Sequence, residues 1–168
     1  MKKQKSLPAG RQGFTIVELL IYMGLLTILM TILTRLFTAT VDVQLSSEAT
    51  GVVEEDSRYI YSRLAYDLTR ADSIVTPAIP GESSNSLTIL IGPVVTTYSV
   101  NDTNFMLTND RGSSALNSYG TGVSHVTFTQ LGQDAGKKSI QVKYTLTSTI
   151  QSSSGRDTRT METTITQR

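Results

Sequence analysis

The sequence predicts an α+β protein, a long N-terminal helix packed on an antiparallel β-sheet. Three observations predict it. An apolar run begins at Phe14 and continues to about Phe37. Behind it, apolar residues recur at spacings of three and four as far as Ala71, the period of one helix face. Beyond Pro77 the chain turns to short alternating stretches separated by Gly, Pro, Asn and Ser, which read as strands and turns.

The composition narrows the function classes. The 168 residues carry a formal net charge of +1, no Cys, no Trp and one His. Without Cys there is no disulfide framework and no thiolate metal site. A single His leaves few acid/base constellations to build, so the inventory gives an enzyme no support. The near-neutral charge and the lack of a basic–aromatic stripe give no nucleic-acid signal. No cofactor is implied. Apolar residues crowd the first quarter, while Ser, Thr, Asn and Gly dominate the rest. That asymmetry reads as an anchor followed by a polar domain.

Residues 1–13 form a basic leader, with Lys2, Lys3, Lys5 and Arg11 and no acidic residue. Pro8, Gly10 and Gly13 argue against helix there. From Phe14 to Thr34 a helix would span about 31 Å, which matches a bilayer core of about 30 Å. The hydroxyls of Thr27, Thr31 and Thr34 are expected to turn back onto the preceding turn of backbone, which makes them tolerable in lipid. Basic residues on the leader side place the leader in the cytoplasm and the remainder outside. A secretory signal, a plain single-span anchor and a buried core helix compete with this reading. None of them explains Glu18, a lone carboxylate in an apolar span. Such a residue is a functional hypothesis by default, because it costs a few kcal/mol unless paired.

The stretch Gly13-Phe14-Thr15-Ile16-Val17-Glu18-Leu19-Leu20 resembles the prepilin signature of type IV pilins and type II secretion pseudopilins. The resemblance implies cleavage between Gly13 and Phe14 by a prepilin peptidase and N-methylation of Phe14. It implies a structural subunit whose partners are other pilin or pseudopilin subunits, assembly-platform proteins and the inner membrane. Cleavage would create a positive amine at Phe14, and in a filament Glu18 of one subunit would pair with the Phe14 amine of its neighbour. Leaving either charge unpaired in an apolar bundle would cost of order 3–5 kcal/mol, so the pair would set axial register. In an uncut, isolated chain Glu18 is expected to stand with no partner in reach.

The amphipathic half of the helix is assigned to residues 38–76, with the stripe Leu45, Ala49, Val52, Asp56, Ile60, Leu64, Leu68, Ala71 and Val75. Asp56 interrupts it. Gly51 predicts a bend or frayed turn, and Pro77 predicts a stop near Ser73 to Thr76. The segment Arg58 to Ala71 resembles the helix end of minor pilins and J-type pseudopilins, while Asp67 and Arg70 also read as a solvated i,i+3 pair. Residues 77–168 form the β-rich domain. A loop over 77–86 precedes strands over 87–91, 94–100 and 104–108. A long polar loop over 109–122 leads to strands over 123–131, 140–149 and 158–166. Gly132 to Lys138 and Gln151 to Arg156 read as turns. The order of elements extends the resemblance to J-type minor pseudopilins over the chain.

Other signals carry less. Gly132 to Ser139 resembles a phosphate loop only superficially, since Lys138 stands where Ser or Thr should follow the first Lys and no helix pattern comes next. His125 lies in a strand with no second ligand near it, so no metal site is assigned. Asp102, Asp110 and Asp134 sit in loops and are candidate calcium ligands without diagnostic spacing. The alternative function is a single-pass, membrane-tethered binding module that does not polymerise.

Overall fold

The protein is described by a computed structural model that covers residues 14–132 and 137–167. Gly13 and the leader, Asp134 and the tip of the 132–138 turn lie outside the described residues. The chain divides into two units, Met1–Val41 and Asp42–Arg168.

The first unit contains the start of helix α1 (Ile16–Arg70). Its apolar window is long enough to cross a membrane, and none of it is buried within the protein. The threonine expectation is met. Thr27 Oγ1 donates to the Met23 carbonyl at 2.8 Å, and Thr31 and Thr34 donate to the carbonyls of Thr27 and Met30 at 2.9 Å.

In the second unit α1 continues unbroken through Gly51 to Arg70, so the expected bend is absent. Buried Ala49 and Val53 on either side of the glycine hold that turn in place. The buried stripe is Ala49, Val53, Asp56, Ile60, Leu64, Asp67 and Leu68. Val53 takes the place expected of Val52, which is half-buried. The helix ends at Arg70, within a residue of the Ala71 to which the apolar spacing runs and short of the stop expected at Ser73 to Thr76. Strand β1 (Ser73–Thr76) follows and pairs with Leu90, Ile89 and Thr88 of strand β3 (Leu87–Ile91). The helix therefore gives way to strand pairing before Pro77 is reached, and Ile74 rather than Val75 is buried.

The domain holds two antiparallel sheets where one was expected. Strands β4 (Val94–Asn101), β5 (Asn104–Asn109) and β6 (Gly112–Ala115) complete a five-stranded sheet in the order β1-β3-β4-β5-β6. Strands β2 (Ser83–Ser84), β7 (Thr121–Leu131), β8 (Ser139–Ser152) and β9 (Gly155–Thr166) form a four-stranded sheet in that order. The expected 109–122 loop thus contains β6, whose four residues are all exposed. The expected 151–156 turn shrinks, because Gln151 and Ser152 pair with Arg156 and Gly155. β7 and β8 pair from Leu131 and Ser139 outward, so the 132–138 connection joins antiparallel neighbours as a hairpin.

One core joins the helix to both sheets. Val53, Ile60, Leu64 and Leu68 meet Leu87, Ile89, Tyr98 and Phe105 from the first sheet, and Phe128, Ile140, Val142, Tyr144 and Leu146 from the second. The β8 alternation of Ile140, Val142, Tyr144 and Leu146 is buried as expected. The Phe105 ring is the hub. It lies 6.1 Å from Tyr98, 6.2 Å from Phe128 and 6.1 Å from Tyr144, linking the two sheets through aromatic contacts. In β7, Val123 and Val126 are both buried at an odd spacing that a regular strand forbids. A bulge between Ser124 and Thr127 resolves the conflict, with His125 at φ 51° and turned to solvent.

Candidate functional site

Thr15 opens the helix. Its Oγ1 accepts the Glu18 backbone N–H at 3.2 Å, and its carbonyl accepts the Leu19 N–H at 3.1 Å. These contacts make Thr15 the N-cap and Glu18 the third helical residue, the spacing of a capping box. The Glu18 carboxylate does not turn back to complete the box. It accepts a hydrogen bond from the Tyr22 hydroxyl at 3.3 Å, one turn further on. The Tyr22 ring also meets the Phe14 ring edge-on, with centroids 6.3 Å apart. The expectation that Glu18 stands with no partner in reach is therefore corrected: the i,i+4 spacing delivers Tyr22 to it. Phe14 is exposed and Glu18 half-buried, and Tyr22 brings the two to one side of the helix start. Gly13 lies outside the described residues. The Thr15–Glu18 spacing and the tyrosine four residues on were both readable in the sequence, and both went unassigned.

Two buried carboxylates on the helix organise the second unit. Asp56 accepts from the Ser118 N–H at 2.9 Å, from the Ser118 hydroxyl at 2.8 Å and from the Thr121 hydroxyl. The break in the apolar stripe is thus a tie to the loop between β6 and β7. Asn117, also buried, secures the same loop by accepting the Phe105 N–H at 2.8 Å and donating to the Thr121 carbonyl at 2.8 Å. Asp67 is buried as well, so its reading as a solvated partner of Arg70 is corrected. Its Oδ2 lies 3.0 Å from Arg63 Nε and accepts the Tyr98 hydroxyl. Burial, reinforced by that hydrogen bond to the Asp67 carboxylate, pushes the Tyr98 hydroxyl above the ordinary tyrosine range.

The metal candidates come apart. Asp102 and Asp110 sit at opposite ends of β5, separated by about 20 Å of extended strand. They share no ion, and Asp134 lies outside the described residues. Among the described residues no three His, Cys, Asp or Glu side chains are grouped to hold a metal.

Residues 8–34 match the family model described as the prokaryotic N-terminal methylation motif. Comparison with curated proteins and with solved structures found no match. The motif supports a precursor of the pilin or pseudopilin kind, anchored in a membrane through its apolar helix. It points to a structural subunit rather than an enzyme, to processing by a prepilin peptidase and to assembly with other pilins.

Proposed function

We propose that the protein is a minor pilin or pseudopilin of a type IV pilus or a type II secretion-like filament. Its leader is removed between Gly13 and Phe14, and Phe14 is then N-methylated. The processed chain waits as a single-pass membrane protein, with the β-rich domain on the extracytoplasmic side. Helix packing and pairing of Glu18 with a neighbour's Phe14 amine then draw it into the filament. The observation that carries this reading is one ionisable residue, Glu18, at the head of an unburied apolar span within the methylation motif.

Tyr22 refines the assembly step. Before assembly Glu18 has the Tyr22 hydroxyl as its hydrogen-bond donor. That donor lowers the cost of holding the carboxylate in an apolar setting. On assembly the carboxylate keeps or exchanges it for a charged amine, a stronger partner in low dielectric.

Mass spectrometry of the membrane-extracted protein is expected to show N-methyl-Phe14 as the first residue, and sheared filaments are expected to contain the chain. Glu18→Ala is expected to insert into the membrane but to be depleted from the sheared fraction by about tenfold or more. An intact leader on a membrane-bound chain overturns the processing step. Undiminished recovery of Glu18→Ala overturns the pairing.

A further inference from the structure

Three arginines converge on one cleft of the second unit. The cleft has a volume of about 370 Å³ and lies between the last turns of α1, the β3–β4 turn and the β5–β6 turn. Arg63, Arg70 and Arg111 line it, together with Tyr66 and an apolar wall of Ile91 and Val94. The three guanidinium groups are not equivalent. Arg63 is held by Asp67 at 3.0 Å. Arg70 and Arg111 have no ion-pair partner among the described residues. Arg70 is nonetheless positioned, since its Nη1 donates to the Tyr66 hydroxyl and its Cζ lies 4.9 Å from the Tyr66 ring centre. The turn that carries Arg111 is fixed by its N–H, which donates to Asn109 Oδ1 at 2.9 Å.

We infer that this cleft receives a carboxylate side chain presented by an acidic peptide segment of a protein partner. A guanidinium held in place on Tyr66, Arg70, and a second on a fixed turn, Arg111, neither in an ion pair among the described residues, are groups that bind a carboxylate through paired N–H donors. Two further features choose among anions. The cleft also contains Asp67 and Asp110, so its formal balance is three positive against two negative. That balance suits a monovalent carboxylate and opposes a phosphate dianion or a nucleic-acid backbone. Ile91 and Val94 give the aliphatic stem of a glutamate an apolar surface, which a bare inorganic anion cannot use. The α1 C-terminus adds a partial negative charge to the same end of the domain, so recognition rests on the guanidiniums and not on the helix dipole. Exposed Tyr59 lies two helical turns before Tyr66 and continues the rim with the Tyr and Arg composition of protein-binding hot spots.

The test uses the full-length chain in neutral-detergent micelles and a fluorescein-labelled tetraglutamate with blocked termini, followed by fluorescence anisotropy. Tetraglutamate is expected to bind and blocked tetraglutamine to fail. Arg70→Gln and Arg111→Gln are each expected to weaken binding by about tenfold or more, the worth of one charge-assisted hydrogen-bond pair. Lys143→Gln removes the same charge from β8, outside the cleft, and is expected to leave binding unchanged. Circular dichroism establishes that each variant is folded. Three results overturn the inference: no tetraglutamate binding, equal weakening by Lys143→Gln, or displacement of the peptide by equimolar inorganic phosphate.

Discussion

At the scale of single residues, the second unit is organised by polar groups that an apolar pattern hides. Buried Asp67 and Tyr98 and half-buried Arg63 form a set in which each member answers another. The Tyr98 hydroxyl is held neutral by burial and by the Asp67 carboxylate, so its folded pKa lies above its unfolded value. The sign follows from linkage. The stabilisation is complete below the ordinary tyrosine pKa of about 10 and is lost as pH rises past it. Denaturant midpoints of the wild type are expected to fall steeply above pH ~10. Tyr98→Phe is expected to cost about 1 kcal/mol at neutral pH and to show a shallower alkaline decline. Burial also raises the Tyr144 hydroxyl, which leaves a residual slope in that variant. A wild-type profile flat across this range would remove the buried hydroxyl from the account.

At the scale of elements, one close approach sets how the β6–β7 loop meets the helix. A Cβ on Gly120 would lie 2.5 Å from Val52 Cγ1, inside any real carbon–carbon contact. Val52 is β-branched and has little freedom to turn away in a helix. Gly120→Ala is therefore expected to destabilise the domain by about 1–3 kcal/mol, and Val52→Ala is expected to restore most of the loss. A double variant no more stable than Gly120→Ala alone would place the strain elsewhere. The helix and the long strands were legible from periodicity, because their apolar residues repeat at the spacing of the element. β6 was not, since Gly112–Ala115 has only the exposed Ala115 as an apolar residue and is defined by backbone pairing to Met106–Asn109. The helix end near Ala71 was legible to within a residue, but the apolar stripe ran on past it. Val75 continues the helical spacing, but it belongs to strand β1, which pairs with β3. The division into two sheets was equally hidden, because alternation records which face is buried and not which neighbour supplies the hydrogen bonds. At the helix start, spacing revealed Glu18 but not its partner, which came from a tyrosine one turn away.

At the scale of the whole molecule, the second unit begins with a tie that depends on charge. Ser153, at the tip of the β8–β9 hairpin, donates its N–H to Asp42 Oδ1 at 2.7 Å and its hydroxyl to Oδ2 at 2.5 Å. Those two donors hold the Asp42 carboxyl below its ordinary range. The tie is therefore complete above the unfolded carboxylate pKa of about 3.9 and lost as pH falls through the lower, folded value. Hydrogen-exchange protection at the Ser153 amide is expected to persist at pH 5 and to fall below pH ~3. In Asp42→Ala it is expected to be low at both. Protection in Asp42→Ala equal to wild type would show that the hairpin holds itself. The same contact has a mechanical meaning. A pull on residues 14–41 passes along the helix and reaches the second unit at Asp42, where the Ser153 link ties the helix to the β8–β9 hairpin and takes up load. A stretched chain would yield there before the sheets shear, and protonating one carboxyl would lower the force at which the hairpin tip lets go.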